Sequence, residues 1–257
     1  TAYNTVNLRS RVDGELVKVL FEEGQQVEAG DLLAVIDPRP YQAALQQAQG
    51  ALQEQQAQLK NAELDLQRYK GLYDEDSIAK QTLDTQQALV NQYRGSLQSN
   101  QADVATAKLN LDFTQIRAPI DGRLGLRQLD VGNLVSSGDT TPLVVITQAD
   151  PIAVIFTIPE DALPPVRQRL KAGASLEVRA LDRAQKVELG LGKLDTTDNV
   201  IDVTTGTVKL RAVFDNKDES LFPNQFVNVR LLVNTLNNQT TVPVPAVQRG
   251  ADGAYVF

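Results

Sequence analysis

Four residue types are missing from this 257-residue sequence: histidine, cysteine, methionine and tryptophan. Histidine is the usual general base near neutral pH, cysteine supplies the thiolate nucleophile, and both are the main ligands of transition metals. Their absence removes most hydrolytic and redox mechanisms, excludes disulfides and argues against a relay for soft metal ions. Aromatic residues make up only 5% of the chain, so no aromatic sugar cleft supports a glycosidase. We therefore predict no enzyme, no catalytic residue and no cofactor.

Long apolar stretches and excess positive charge are also absent. No apolar segment of about 18 residues occurs, so we expect no membrane-crossing helix within this sequence. The net charge is −7 and no basic stripe is visible, which argues against nucleic acid as a partner. The acidic group Asp195, Asp198 and Asp202 fits no calcium-loop spacing, so we expect an ordinary turn there and predict no metal site. No secretory leader pattern begins the sequence, which is typical of a mature or trimmed product.

The most informative feature that is present is an internal repeat. Residues 9–31 recur 108 positions later, with the identical pairs Arg9/Arg117, Asp13/Asp121, Gly14/Gly122, Leu16/Leu124, Gly24/Gly132, Val27/Val135, Gly30/Gly138 and Asp31/Asp139. Three of these pairs are glycines, and the six residues are predicted to form the turns between short strands: Gly14, Gly24, Gly30, Gly122, Gly132 and Gly138. Copies this short cannot each bury a core, so we expect them to fold against one another as halves of one small domain.

Two such halves resemble the flattened barrel-sandwich of biotinyl and lipoyl carrier domains. Those carriers bear a modified lysine on the hairpin that joins the halves. Here the first half ends at Val35-Ile36-Asp37 and continues into Pro38-Arg39-Pro40, with no lysine at the junction. A biotinyl or lipoyl carrier subunit is therefore kept only as an alternative function.

The insertion between the halves has the pattern of two long helices. Apolar residues recur in steps of three and four from Tyr41 to Tyr73 and again from Leu83 to Leu111, which predicts an antiparallel coiled-coil hairpin. Gln55 and Asn100 occupy seam positions, and we expect them to face apolar partners and to weaken the seam. The outer faces are rich in Gln and Ala with few charges, a pattern that fits either packing against neighbouring copies or a solvated surface.

The remaining sequence has the alternating and β-branched pattern of strands. One helical stretch, Pro165 to Ala172, ends at Gly173, and the surrounding strands predict a small β-barrel. The predicted strands are Ile152 to Ile158, Ser175 to Ala180, Lys186 to Leu194, Gly206 to Phe214 and Gln225 to Val233. The last segment, from Thr240, also has strand character, and we expect it to join Thr1 to Leu8 in a further β unit.

The order of half-lipoyl, helical hairpin, half-lipoyl, β-barrel and terminal β segment resembles the periplasmic adaptors, or membrane fusion proteins, of tripartite efflux pumps. Within that family the sequence is most similar to the adaptors of resistance-nodulation-division multidrug transporters. The motifs that carry the resemblance are Val12-Asp13-Gly14, Val27-Glu28-Ala29-Gly30-Asp31, Ile116-Arg117-Ala118-Pro119-Ile120-Asp121-Gly122, Val131-Gly132, Ile201-Asp202-Val203-Thr204-Thr205-Gly206-Thr207 and Leu221-Phe222-Pro223-Asn224-Gln225-Phe226-Val227.

The resemblance implies a mainly β, elongated multidomain fold with a long α-helical hairpin, and four parts. These are a lipoyl-like domain in two halves (9–38 and 116–147), the hairpin (39–115), a β-barrel domain (148–235) and a partial membrane-proximal β segment (1–8 and 236–257). It also implies a non-catalytic periplasmic subunit, anchored to the inner membrane by an N-terminal segment outside this sequence. The alternative within the same class is an adaptor of an ABC exporter or a type I secretion system.

The implied partners are a resistance-nodulation-division transporter in the inner membrane, an outer-membrane channel of the TolC type, and further copies of the chain as a trimer or hexamer. In such adaptors the hairpin tip carries an Arg, a Leu four residues later, and a Ser seven residues after that Leu. Arg68 and Leu72 match this motif, whereas Ala79 stands at the Ser position. We therefore expect Arg68 and Leu72 to contact the channel, with the third contact either lost at Ala79 or supplied by Ser77.

Overall fold

The computed structural model describes residues 1–235, 238–239, 241–250 and 253–256. The chain forms two compact units. One contains residues 4–148 and is called the hairpin unit below; the other contains residues 1–3 and the chain from 149 onward and is called the barrel unit.

The hairpin unit consists of short strands and two long helices. In chain order these are β1 (Ala2–Leu8), β2 (Gly14–Val19), β3 (Gln26–Val27), β4 (Leu32–Ile36), α1 (Arg39–Asp74), α2 (Lys80–Phe113), β5 (Gln115–Arg117), β6 (Gly122–Leu124), β7 (Leu134–Val135) and the start of β8 (Val144–Pro159). Four strands form a sheet in the order β5–β4–β2–β7, and β6 pairs with both β3 and β8. The predicted split barrel-sandwich with an inserted helical hairpin is therefore confirmed.

The two repeats pair with each other through equivalent residues. Gly14 of β2 lies opposite Val135 of β7, and Val27 of β3 lies opposite Gly122 of β6. Gly14 and Gly122 are one repeat pair, and Val27 and Val135 are another. The two pairings therefore have the same composition, but the glycine and the valine have exchanged halves. Such an exchange indicates an internal two-fold relationship. Each half supplies strands that pair with strands of the other half.

Both halves contribute to one hydrophobic core. Its buried members are Leu8, Val12, Leu16, Phe21, Val27, Leu33, Ala34, Ile36, Ile116, Ala118, Leu124, Val135, Leu143, Val144 and Ile146. Leu16 and Leu124, a repeat pair, are 0% and 2% exposed. Burying a side chain of this size stabilises the fold by about 1.5 to 3 kcal/mol relative to leaving it exposed. The core therefore depends on both halves at once.

The hairpin consists of a 36-residue and a 34-residue helix. Pro38 and Pro40 mark its start, where a missing N–H costs nothing because the first turn has no intrahelical acceptor. Its buried apolar core is confined to Ala62, Leu66 and Val90, with Leu59, Leu83 and Tyr93 partly buried around them. At 1.5 Å per residue, arms of this length extend roughly 50 Å.

The polar seam residues of the hairpin differ from expectation. Gln55 donates to the Tyr93 carbonyl (3.3 Å) and Asn100 to the Ala51 carbonyl (3.4 Å), so neither amide merely faces an apolar partner. Gln86 donates to the Ala62 carbonyl (2.9 Å) in the same way. A helical carbonyl has a second lone pair beyond its own helix bond, and an amide side chain is long enough to reach it across the seam. The seam is thus bridged by hydrogen bonds at three levels.

The barrel unit is an antiparallel sheet with one helix. After α3 (Leu163–Lys171) come β9 (Glu177–Leu181), β10 (Glu188–Asp202), β11 (Thr207–Phe214) and β12 (Asn228–Leu231), in the sheet order β12–β9–β10–β11–β8. Val166 of α3 is 1% exposed and shares a core with the inward-facing residues of these strands. The helix stops where Gly173 takes a left-handed conformation (φ +77°), as its sequence predicted.

Strand β10 is longer than predicted. It continues through Asp195 and Asp198, and only Asp202 lies at its end, so the expectation that all three acids form one turn was wrong. The strand stays paired with β11 because two irregularities in register absorb the extra residues. Asp195 forms an ion pair with Arg211 (2.6 Å), while Asp202 accepts from the Thr204 backbone. Within the described ranges no group of acidic residues is arranged to hold a metal ion.

The first eight residues and the C-terminal segment both contain strands. Strand β1 pairs with β8, and Leu8 belongs to the core of the hairpin unit. The C-terminal segment contains a hairpin of β13 (Val247–Gly250) and β14 (Gly253–Val256). Residues 236, 237, 240, 251, 252 and 257 lie outside the described part, so the association of 236–257 stays a prediction.

Candidate functional site at the hairpin tip

The hairpin tip is a short, hydrogen-bonded connection between the two helices. Helix α1 ends at Asp74 and α2 begins at Lys80. The Ser77 N–H donates to the Leu72 carbonyl (2.8 Å), and Asp76, with φ of +53°, donates its N–H to the Tyr73 carbonyl (2.9 Å). These bonds satisfy carbonyls that the end of α1 would otherwise leave unpaired, so the connection has a defined backbone geometry.

Arg68 lies one and a half turns before the end of α1 and is largely exposed. Its guanidinium pairs with Asp65 at 2.7 Å, and the two side chains are 71% and 48% exposed. A pair this exposed contributes about 0 to 1 kcal/mol, so its replacement by another acceptor costs little. Arg68 can thus exchange its acceptor for one on a protein that approaches the tip, and it uses a planar fork suited to carbonyl and carboxylate oxygens.

Leu72 also faces solvent. Its side chain is 38% exposed, and Tyr73 beside it is 37% exposed. Neither belongs to the buried core of the hairpin. Leu72 therefore keeps part of its apolar surface exposed, four residues after Arg68 on the same side of α1.

Ser77 and Ala79 have distinct positions in the connection. The Ser77 hydroxyl donates to the Glu75 carbonyl (3.3 Å) and remains exposed. Ala79 is the N-cap residue of α2, with extended backbone angles, and its methyl group provides no capping hydrogen bond. A serine at this position would accept from the first N–H groups of α2 and stabilise the helix by about 1 kcal/mol. Ala79 therefore removes a helix cap as well as a hydroxyl from the tip.

The glycines predicted to form turns are distributed over both halves of the barrel-sandwich. Gly24 and Gly132, a repeat pair, have φ of +76° and +92°, which residues with a side chain rarely adopt. At Gly14 and Gly122 a side chain would lie 2.7 Å from Ile36 Cγ2 and 2.8 Å from the Thr147 carbonyl oxygen, respectively. Gly30 has a positive φ of +99°. Gly138, its repeat mate, has no positive φ, and the two-residue insertion that follows it separates the repeats in sequence.

Sequence reasoning missed a pair of carboxylates that connect the halves. Asp13 accepts from the Ser137 N–H (2.7 Å) and from the hydroxyls of Ser136 and Ser137, and these donors hold the pKa of that carboxyl below its ordinary value of 3.8. Asp121 accepts from the Ala29 N–H at 2.6 Å. Both aspartates were visible as repeat identities, and their equivalence was the signal that could have assigned them a common role.

Comparison with known proteins agrees with this architecture. Residues 4–147 match the family model described as the barrel-sandwich hybrid domain of resistance-nodulation-division membrane fusion proteins, and residues 151–235 match that of their β-barrel domain. The sequence is 54% identical to the multidrug resistance protein MdtA of Klebsiella pneumoniae and 52% identical to MdtA of Escherichia coli K12. Each alignment covers 100% of this chain and 62% of the relative, so the chain spans under two thirds of the length of these curated relatives.

A solved structure supports the same assignment. The chimeric MacA–MexA protein containing the Pseudomonas aeruginosa MexA α-hairpin domain is 26% identical, with a TM-score of 0.61 over 91% of this chain and 76% of the chimera. Across the described residues, neither long helix is apolar enough to cross a membrane. The shared barrel-sandwich, inserted hairpin and β-barrel do not favour a carrier subunit. The chain belongs to the membrane fusion proteins of the resistance-nodulation-division type.

Proposed function

We propose that this chain is the central part of a periplasmic adaptor that links an inner-membrane resistance-nodulation-division transporter to an outer-membrane channel of the TolC type in a multidrug efflux pump. The observation that carries the proposal is the hairpin, whose exposed Arg68 and Leu72 lie at the end of two helices of 36 and 34 residues. The names of the MdtA relatives support the multidrug role. The proposed subunit is non-catalytic and needs no cofactor.

The proposed parts have different tasks. The hairpin (39–115) reaches the channel, the lipoyl-like halves (9–38 and 116–147) hold its base, and the β-barrel domain (148–235) docks on the transporter. Residues 1–8 and 236–257 belong to a membrane-proximal segment. The full-length protein resides in the periplasm and is anchored to the inner membrane by an N-terminal segment outside this sequence.

The adaptor works as a ring of copies, a trimer or a hexamer. The support is the weak charge of the hairpin flanks, where Gln and Ala predominate and a solitary helix would carry Lys and Glu. Each lateral contact is small and polar, so the isolated chain is expected to associate weakly. The transporter concentrates the copies and makes the ring stable.

At the tip, Arg68 and Leu72 supply contacts with the channel. Arg68 donates charge-assisted hydrogen bonds to carbonyl or carboxylate oxygens on the channel, and Leu72 fills an apolar notch. The third contact of the family motif is either lost at Ala79 or supplied by the Ser77 hydroxyl. The exposed Arg68–Asp65 pair supports this role because it is easily exchanged.

Drug susceptibility of cells carrying the full-length protein, its transporter and its channel tests the function. Deleting the gene should raise susceptibility, and restoring it should reverse the effect. Arg68→Asp and Leu72→Ser should leave the cells as susceptible as the deletion strain. Matched controls are Lys60→Asp, which also reverses a positive charge, and Leu64→Ser, which also replaces an exposed leucine. Both positions lie on α1 away from the tip. Full efflux with both tip variants would refute the tip assignment.

The Ala79 position needs a separate comparison because a serine there would also cap α2. Ala79→Asp caps the helix without a hydroxyl. If the missing hydroxyl weakens docking, Ala79→Ser should improve efflux while Ala79→Asp should not. Equal improvement by both would assign the effect to helix stability, and the proposed weakening of the channel contact would be wrong.

A further inference from the structure

One pair of repeat identities has no role in the fold described above. The shared glycines form turns or close contacts, and the shared Leu and Val pairs form the core. Asp13 and Asp121 connect the halves, whereas Asp31 and Asp139 each accept a backbone N–H within their own turn. Arg9 and Arg117 occupy equivalent positions in the two repeats and do none of these, apart from the hydrogen bond that Arg117 donates to the Gly30 carbonyl of the first repeat. Their side chains are exposed, so packing does not explain why the same residue stands at both.

Both arginines line one cavity in the hairpin unit. Its volume is about 570 Å³, within the range of small-molecule sites. The walls come from residues 6–11 and 115–119, which contain the starts of the two repeats, together with Phe113 and Ser137. These two wall segments correspond to each other across the 108-residue offset, so the cavity lies where the two halves meet symmetrically.

Positive charge dominates the polar part of this cavity. Arg9, Arg11 and Arg117 all line it, and no Asp or Glu is among its lining residues, all of which belong to the described part. Asp13, the acid next along the chain, is already hydrogen-bonded to Ser136 and Ser137. Three guanidinium groups on a chain of net charge −7 thus share a site without a carboxylate partner in its lining.

The three guanidinium groups are held to different degrees. Arg117 donates to the Gly30 carbonyl and to Gln115 Oε1, each at 2.8 Å, and the Arg11 guanidinium lies 5.1 Å from the centre of the Phe113 ring. Arg9 forms no hydrogen bond or ion pair with any residue that the structure describes. Two fixed cations beside one unpaired cation form a preorganised set of donors for an anion.

The cavity wall also has an apolar part, beside the polar Asn7, Ser10, Gln115 and Ser137. Val6, Leu8, Phe113 and Ile116 line it, and Leu8 and Ile116 belong to the buried core. A small inorganic anion would leave this surface in contact with water. A ligand with one anionic headgroup and an aliphatic body would satisfy both the arginines and the wall.

We propose that this cavity binds an anionic amphiphile, with its headgroup on Arg9, Arg11 and Arg117 and its aliphatic body against Phe113 and Ile116. The site is separate from the hairpin tip, and it gives the chain a ligand-binding role in addition to linking two membrane proteins. Its occupant is a free amphiphile in solution, because a cavity of about 570 Å³ that combines a charged and an apolar side has room for a single molecule.

Calorimetric titration of the 257-residue chain with decanoate tests the proposal. Acetate, which has the carboxylate without the long aliphatic chain, and 1-decanol, which has the chain without the charge, are the comparison ligands. Decanoate should bind more tightly than either comparison ligand, because only decanoate uses both walls. Arg9→Gln and Arg11→Gln should each weaken decanoate binding about tenfold, as the loss of one charge-assisted bond predicts. Arg9→Lys should retain most of the affinity. Arg127→Gln, which removes an arginine paired with Asp130 outside the cavity, should leave the affinity within about twofold.

Several results would overturn the site. Equal affinity for decanoate and 1-decanol would show that the arginines take no part, and equal affinity for decanoate and acetate would exclude the apolar wall. Unchanged decanoate affinity in both Arg9→Gln and Arg11→Gln, with normal circular dichroism, would place the ligand elsewhere. Retention on phosphatidylglycerol vesicles without binding of free decanoate would assign the arginines to a membrane surface and contradict the proposal.

Discussion

Asp13 and Ser137, which are 124 residues apart in sequence, are joined by a hydrogen bond of 2.7 Å from the Ser137 N–H to the Asp13 carboxylate. The repeat mates of these residues, Asp121 and Ala29, form the corresponding bond at 2.6 Å. Each half of the barrel-sandwich therefore fixes the turn of the other, and the long hairpin is inserted into a domain that closes only when both halves are present.

The lowered pKa of Asp13 predicts a pH-dependent contribution to stability. A carboxyl whose pKa is lower in the folded than in the unfolded state stabilises the fold above its ordinary pKa of 3.8, and the contribution is lost as the pH falls from there through the lowered value. Asp13→Asn should therefore be less stable than the parent at pH 7, and the difference should vanish at the acid end of this range.

Urea unfolding followed by circular dichroism at several pH values measures this difference. Asp103→Asn, which removes an exposed carboxyl on α2, controls for the loss of one charge. A difference between Asp13→Asn and the parent that stayed constant down to the acid end would show that the charge of Asp13 does not stabilise the fold.

The shared core predicts equal sensitivity of the two repeats. Val27 and Val135 are 2% and 7% exposed, and each lies opposite a glycine of the other half. Val27→Asp and Val135→Asp should each lower the free energy of unfolding by about 3 kcal/mol or more, because each buries an unpaired charge. Leu126→Asp, at a position 75% exposed, should change it by about 0.5 kcal/mol or less. Tolerance of Asp at either valine would contradict a common core.

The hydrogen-bonded hairpin seam predicts that one amide can be replaced by an apolar residue. Gln86 donates to the Ala62 carbonyl, which also accepts within its own helix, so removing the amide leaves no carbonyl unpaired. Gln86→Leu should leave hairpin stability unchanged or raise it by about 1 kcal/mol through apolar burial. Thermal unfolding at 222 nm would measure this, with Gln92→Leu at an exposed position as the control. A marked loss of stability would mean that the amide is required.

The proposed ring of copies predicts contacts between hairpin flanks. The natural chain has no cysteine, so Gln58→Cys and Gln98→Cys introduce the only thiols. In cells that carry the transporter and the channel, the double variant should form disulfides between copies. The purified chain at low concentration should form few of them, because each contact is weak alone. Exclusively intramolecular products, also with other flank pairs, would argue against lateral packing.

Much of this fold was predictable because it depends on periodic patterns. The repeat at Arg9 and Arg117 indicated two halves of one domain, and the three- and four-residue steps from Tyr41 indicated the hairpin arms. The parts that were missed depend on contacts between distant segments. The bond from Ser137 to Asp13 requires closure across the whole hairpin, and the continuation of β10 past Asp195 requires register changes against β11 that no local pattern specifies.

The candidate site was predicted less completely than the fold. The positions of Arg68 and Leu72 followed from a family motif, and their exposure became apparent only with the packing of the hairpin. That Ala79 occupies the N-cap position of α2 depends on where the helix begins, and helix ends are the least predictable parts of a helix. The cavity at Arg9 required knowledge of which segments line the space between the halves.

Affinity purification of the full-length adaptor, from cells that contain the transporter and the channel, tests the central claim most directly. The unaltered protein should recover both partners. Arg68→Asp and Leu72→Ser should recover the transporter at the normal level and lose the channel, while Lys60→Asp and Leu64→Ser should recover both. Normal recovery of the channel with both tip variants, or loss of both partners together from a correctly folded tip variant, would contradict an adaptor that reaches the channel through its hairpin tip.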